Sequence, residues 1–269
     1  MITTVNEFCG RVESDMAGLL DELLQRTNRN SPKEREAWLN SLPALSRVLA
    51  QAQECHRPLG GMHLSLGHVT LEYRLPAASA WCDAVLLGEN AQSKPQALVI
   101  ELKHWDTTGD QPGIRECLVL RRNGQEHHPS DQVRGYVEYC RNFHSAVALH
   151  SASVEGCVYF TRPGTIQAYR LPPNAQLAAS YPVFSLFEER DARRFSTYIA
   201  GHLTKEHPQF AVDFARGHYE QNRNILVQVA RSLRESKARP FVLLDEQRRG
   251  FALCLDVIER IHESASPNR

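Results

Sequence analysis

The 269-residue chain lacks net charge, with 31 Lys and Arg against 31 Asp and Glu. No global positive field announces nucleic acid, so contacts to such a partner would fall to local arginines or to a bound metal. C-x-x-C pairs are absent among the seven cysteines, at positions 9, 55, 82, 117, 140, 157 and 254. Their odd number and their scatter through apolar runs argue against a disulfide framework and read as reduced core thiols of a cytoplasmic protein. The twelve histidines show no zinc spacing, and the adjacent His127 and His128 read as loop. No apolar run is long enough to span a bilayer and no signal peptide is visible, so a membrane is not expected as a partner. Neither G-x-x-x-x-G-K-[ST] nor G-x-S-x-G occurs, so neither a P-loop nor a serine-hydrolase elbow can be assigned. Cys140 has no visible activating neighbour, which argues against a thiol nucleophile. Internal repeats and low-complexity tracts are missing too.

What is present suffices for a core: 42% of the residues are hydrophobic. That composition fits one large domain, or one domain with a helical appendage. Periodicity predicts helices over Val5–Arg26 and Lys33–Gln53, then strands at His63–Tyr73, Trp81–Leu87 and Ala97–Lys103. Cys117–Arg122 is expected to form a hairpin with the residues immediately after it. A helix over Ser130–Phe143 and a strand over Val154–Phe160 come next. Tyr181–Leu186 and helices over Asp191–Leu203 and Pro208–Glu235 complete the pass. The order helix, three strands, helix, strand is α/β. Between Arg216 and Arg249, eight Lys and Arg face four Asp and Glu, which fits a solvated helix face or a nucleic-acid face.

The chemistry concentrates in two apolar strands. Trp81-Cys82-Asp83-Ala84-Val85-Leu86-Leu87 carries one acid, and Ala97-Leu98-Val99-Ile100-Glu101-Leu102-Lys103 carries an acid and a lysine two apart. Alternation puts Glu101 and Lys103 on one face, with Leu102 on the other. Unpaired charges there would be expensive. Two carboxylates and an ammonium converging on one face suit a hard divalent cation and a phosphodiester. Downstream, Ser130-Asp131-Gln132-Val133-Arg134-Gly135-Tyr136 opens a helix, with Ser130 as N-cap and Asp131 at the positive end of the dipole. Val133, Val137 and Cys140 form its docking stripe, and Gln132 and Tyr136 lie four apart along one edge of it.

These residues resemble the PD-(D/E)XK nuclease superfamily, in which an acid on one strand is followed by an acid-x-lysine triplet on the next. The proline of the motif is missing, since Cys82 precedes Asp83. The Gln132-x-x-x-Tyr136 helix is similar to the RecB-type branch, where that pair lines the active site. Several further blocks resemble the N-terminal region of bacterial Schlafen-group-3-like DNA/RNA helicase proteins. They are Ser31 to Pro43, Glu72-Tyr73-Arg74-Leu75-Pro76, Glu101-Leu102-Lys103-His104-Trp105, and Phe241-Val242-Leu243-Leu244-Asp245-Glu246-Gln247. The resemblance implies a restriction-endonuclease-like core, a mixed central sheet flanked by helices with extra N- and C-terminal helices. Residues 1–205 would form the nuclease domain, and 206–269 a helical linker to a helicase domain.

By the same resemblance, Asp83, Glu101 and the backbone carbonyl of Leu102 hold Mg²⁺ or Mn²⁺, and Glu34 on the preceding helix can join them. Glu36 is its rival if that helix is rotated. Lys103 orients or deprotonates the attacking water, with Gln132 and Tyr136 positioning the lysine or the phosphate. Gln247 resembles the adenine-reading glutamine of superfamily 1 helicases, and would be idle without a P-loop. The chain ends about where a P-loop strand would begin, as a truncated nuclease–helicase would. Asp131, His104 and Arg134 read as end-of-element polar residues. The expected activity is phosphodiester hydrolysis, of DNA first and RNA second, in genome maintenance or phage defence. The alternative is a nucleic-acid-binding or regulatory module that retained the fold.

Overall fold

The structure is a computed structural model that describes residues 2–28, 31–55, 65–187, 189–220 and 245–265. The chain opens with β1 (Ile2–Thr4), α1 (Val5–Ser14) and α2 (Met16–Thr27). The single helix expected over Val5–Arg26 is therefore two. Asp15 leaves the helical region at φ −147°, and its carboxylate accepts the Gly18 N–H at 3.1 Å, capping α2. Next comes α3 (Pro32–Cys55), which buries Trp38, Leu42, Leu45 and Leu49.

The strands β2 (His68–Arg74), β3 (Trp81–Glu89) and β4 (Pro95–Lys103) form an antiparallel meander. β2 starts at His68, after Gly67 turns the chain with φ +116°, and the expected positions 63 and 64 lie outside the described residues. A small second sheet follows, with β5 (Gln111–Pro112), β6 (Leu118–Arg121) and β7 (Gly124–His127). It contains the expected hairpin, which turns at Gly124 with φ +112°. After α4 (Pro129–Phe143) and α5 (Ser145–Leu149), β8 (Ser153–Phe160) returns parallel to β4. α6 (Ala175–Ser180) leads to β9 (Val183–Ser185), which runs parallel to β8. α7 (Glu189–His202), α8 (Pro208–Ala215) and α9 (Asp245–Ala265) complete the described elements.

The main sheet is mixed, in the order β1-β2-β3-β4-β8-β9, and helices cover both faces. Because β4 and β8 are buried on both sides, they read as near-continuous apolar runs. One core gathers Val85, Val99 and Val158 with Val133 and Tyr136 of α4 and Phe210 and Phe214 of α8. The other gathers Leu86, Leu98 and Ile100 with α1, α2, α3 and α7. The break expected after residue 205 is thus not a break in packing, since α8 belongs to the first core. The helix expected to run to Glu235 ends at Ala215, and positions 221–235 lie outside the described residues. Among the described residues, no helix is long and apolar enough to cross a membrane.

Gly156 on β8 sets how closely α4 approaches the sheet. A Cβ there would overlap Val133 and stand 2.9 Å from Val137 Cγ2. Gly156→Ala is expected to lower stability by about 1–3 kcal/mol through overpacking, and to lift Gln132 away from β4. Urea unfolding checks this, and an unchanged midpoint would show that α4 yields without cost.

Candidate functional site

β3 and β4 pair regularly as far as Ala84 and Ile100, and there the ladder stops. The next residues in register are Asp83 and Glu101. In place of a strand partner, the Leu102 N–H is taken by Asp83 Oδ2 at 2.7 Å. A carboxylate that accepts an amide from the neighbouring strand lies in the gap between strands, near the sheet plane. The carbonyl of Leu102 faces that gap too, since a strand residue points its N–H and C=O toward the same neighbour.

Regular alternation fails at this point on both strands. On β3, Val85 and Leu87 sit in the α4-side core and Ala84 and Leu86 in the α3-side core, yet Cys82 is again on the α4 side. On β2, Val69 and Leu71 face α3 while Tyr73 faces α4. The switch on β2 falls at Glu72, whose φ of +46° is in the left-handed region, a strain on the order of 1 kcal/mol for a residue with a Cβ. Glu72 stands across from Asp83 in the β2–β3 register, between the pairs Leu71–Ala84 and Tyr73–Cys82. Simple alternation, which sets Asp83 on one face with Glu101 and Lys103, does not describe its position.

Glu101 and Lys103 do share a face. Lys103 Nζ donates to Glu101 Oε1 at 2.5 Å and to Gln132 Oε1 at 3.1 Å, and Gln132 Nε2 donates to the Tyr136 hydroxyl at 2.8 Å. Four of the expected site residues therefore form one hydrogen-bonded chain from β4 to α4. Glu101 and Tyr136 are buried, and Lys103 and Gln132 are half-buried. The ammonium fixes the Gln132 amide with oxygen toward the lysine and nitrogen toward the phenol. The Lys103 ammonium also lies 5.0 Å from the centre of the Trp105 ring, with the Arg121 guanidinium 4.1 Å from that ring. Arg121 is held at 3.1 Å by Asp110, which also accepts from the Tyr169 hydroxyl at 2.6 Å, so the small sheet is braced against the site.

On the α3 side, Asp83, Glu72, Glu34, Trp38 and Leu102 line a cavity of about 120 Å³. Glu34 lines it and Glu36 does not, which separates the two candidates. The Trp38 indole N–H donates to Glu72 Oε1 at 2.7 Å. Glu72 is the residue that sequence reasoning passed over. Its signal was the one that marked Asp83, an acid inside an apolar strand.

The remaining candidates fall elsewhere. Asp131 is fully buried, bonded to His127 at 2.6 Å and ion-paired with Arg134, so it is more than an end-of-element polar residue. His104 Nδ1 meets Thr161 Oγ1 at 3.2 Å. Burial pushes the Cys140 thiol up to about 12, consistent with an inert core residue. Gln247 lies in the first turn of α9, and positions 241–244 before it lie outside the described residues.

No family profile, curated protein or solved structure matches the chain. Among the described residues, no group of three or more His, Cys, Asp and Glu side chains is placed to hold a metal ion. The oxygen donors at the end of the β3–β4 ladder are the Asp83 carboxylate in the strand gap, the Leu102 carbonyl, and the Glu101 carboxylate, which is turned to the α4 face against Lys103 rather than to the cavity that Asp83 lines. That hard-oxygen set suits Mg²⁺ or Mn²⁺, and Mg²⁺ ordinarily keeps several waters beside one or two carboxylates.

Proposed function

We propose that the chain is a metal-dependent nuclease of the PD-(D/E)XK type that hydrolyses phosphodiester bonds, of DNA first and RNA second. The observation that carries this reading is the end of the β3–β4 ladder. There Asp83 takes the Leu102 amide while Lys103 is held between Glu101 and Gln132. The order α3-β2-β3-β4-α4-β8, with β4 and β8 parallel, supports a restriction-endonuclease-like core. Asp83, Glu101 and the Leu102 carbonyl would hold Mg²⁺ or Mn²⁺, with Glu34 reaching it across the cavity. Such an ion would make a bound water more acidic and offset charge on phosphate.

The chain's own residues orient the reaction. Two acceptors and a π-face surround the Lys103 amine, an arrangement suited to an ammonium that steers the phosphate and offsets developing charge. Lys103 acts in this reading as a positioned cation rather than as the base. Gln132 and Tyr136 fix its direction. An attached helicase, and a role in genome maintenance or phage defence, rest on the resemblance of these sequence blocks alone.

A second reading, a non-catalytic nucleic-acid-binding or regulatory module, draws on the absence of a three-side-chain metal cluster among the described residues. A cleavage assay on single- and double-stranded DNA and RNA, with Mg²⁺, Mn²⁺ or EDTA, separates the two. Cleavage that needs metal and stops in EDTA supports the nuclease. A lack of cleavage with either metal supports the module.

A further inference from the structure

The parallel strands β4, β8 and β9 end level with one another: Lys103 is in register with Phe160, and Phe160 with Ser185. The loops that leave these three ends therefore share one edge of the sheet with the lysine. Ligands of open α/β sheets collect outside the carboxyl ends of the strands. Beyond β9 a cavity of about 310 Å³ opens between the loop after β8 and the start of α7. Arg170, Arg190 and Arg194 line it together with Asp191 and Phe187. Asp191 lies 3.7 Å from Arg170 and 3.5 Å from Arg194, so it orients two guanidinium groups while the lining keeps an excess of two positive charges. Phe187 is 56% exposed beside them.

A structural ion cluster would neutralise its arginines and cover its aromatic ring; among the described residues this lining stays net positive and its ring exposed. Guanidinium forks match phosphate oxygens, and an exposed ring stacks on a base that is not already stacked in a duplex. Resting on the nuclease reading above, we propose that this cavity is a flanking subsite for single-stranded nucleic acid. Arg190 and Arg194 bind backbone phosphate there, and Phe187 stacks on a base. Two strand spacings separate β4 from β9, about 10 Å. Arg162, just past the end of β8 between them, is half-exposed and pairs with Asp106 at 3.4 Å.

Fluorescence anisotropy of a labelled oligothymidylate and of its duplex with oligodeoxyadenylate, in EDTA, tests this on the full chain. Arg190→Ala with Arg194→Ala is expected to weaken single-strand binding about tenfold or more, and to flatten the salt dependence by about 1.4 in log–log slope. Phe187→Ala is expected to weaken single-strand binding about five- to hundredfold and leave duplex binding unchanged. Thermal melting of each variant verifies the fold, and all three positions are exposed enough to tolerate alanine. If wild type binds and cleaves but the variants match it, the subsite is overturned and the nuclease stands. If binding depends on these residues yet nothing is cleaved with Mg²⁺ or Mn²⁺, the nuclease reading fails and the subsite stands. Failure of wild type to bind the single strand, or equal losses on single strand and duplex, overturns the subsite.

Discussion

Asp83→Ala and Glu101→Ala are each expected to abolish cleavage, by at least on the order of 10³-fold, while nucleic-acid binding survives. Each removes a charged oxygen from a two-carboxylate set, and several kcal/mol of charge stabilisation depends on such oxygens. Binding should hold or tighten without metal, because a carboxylate facing phosphate is repulsive. The alanine change at Asp83 also strips the Leu102 amide of its acceptor, at about 1–3 kcal/mol of stability. Asp83→Asn retains an acceptor oxygen, so it should lose activity with little loss of stability. Lys103→Ala should stop turnover too, with metal binding intact, since an ammonium is not a ligand. Calorimetric titration with Mn²⁺ distinguishes these roles. If Lys103→Ala loses metal as completely as Asp83→Ala, the assignment is wrong. If wild type binds no Mn²⁺, the module reading stands.

The second large effect is acid lability, expected between about pH 6.5 and 4. His128, rather than the expected Ser130, caps α4: its Nδ1 accepts the Ser130 N–H at 3.0 Å, and its Nε2–H donates to the Tyr169 carbonyl at 3.1 Å. That pair of contacts requires the neutral ring, and burial holds its pKa down to about 4. His144 is buried against Phe214, with Nε2 2.8 Å from the Tyr73 hydroxyl, which itself donates to the Phe214 carbonyl at 3.0 Å. Its Nδ1 has no hydrogen-bond partner among the described residues, and burial again brings its pKa to about 4. Both folded values lie below the unfolded one near 6.5. The unfolded chain therefore takes up protons first as pH falls, and stability present above pH 6.5 is lost toward pH 4. The loss is on the order of 3 kcal/mol for each histidine at the acid end. Because α4 carries Gln132 and Tyr136, loss of the His128 cap also loosens the lysine's support. Urea unfolding across this range checks it. His128→Asn, which can cap without titrating, should flatten the curve, and a wild type with equal stability at pH 6.5 and 5 would contradict the account.

The elements were legible in the sequence where hydrophobic period and turn chemistry agreed. β3, β4 and β8 were placed by apolar runs bounded by turn residues and α4 by its helical period; spacing paired Glu101 with Lys103 and Gln132 with Tyr136, while only the family resemblance joined the two pairs. The placement of Asp83 was not legible. Its position depends on a paired irregularity at Glu72 and Asp83, and no periodic rule encodes a residue with φ +46°. Glu72 was read only as part of a strand for this reason, although an acid amid Leu71 and Tyr73 was visible. The split of the first helix escaped because Asp15 resembles any polar helix residue until its carboxylate turns back to Gly18. The arginine cavity was out of reach altogether. Arg190 and Arg194 share α7, but Arg170 comes from the segment after β8, and the two meet where β8 and β9 end level.

The Leu102 amide has a consequence of its own. Most sheet amides report on a backbone carbonyl, which changes little when a ligand arrives. This one reports on a side chain of Asp83. Its proton and nitrogen chemical shifts in an isotope-labelled sample form a built-in sensor at the centre of the site. The resonance should move whenever a cation, a proton or a phosphate engages that carboxylate, and should stay still when ligands settle at the arginine cavity. One peak would separate binding at the chemistry from binding beside it, without any substitution.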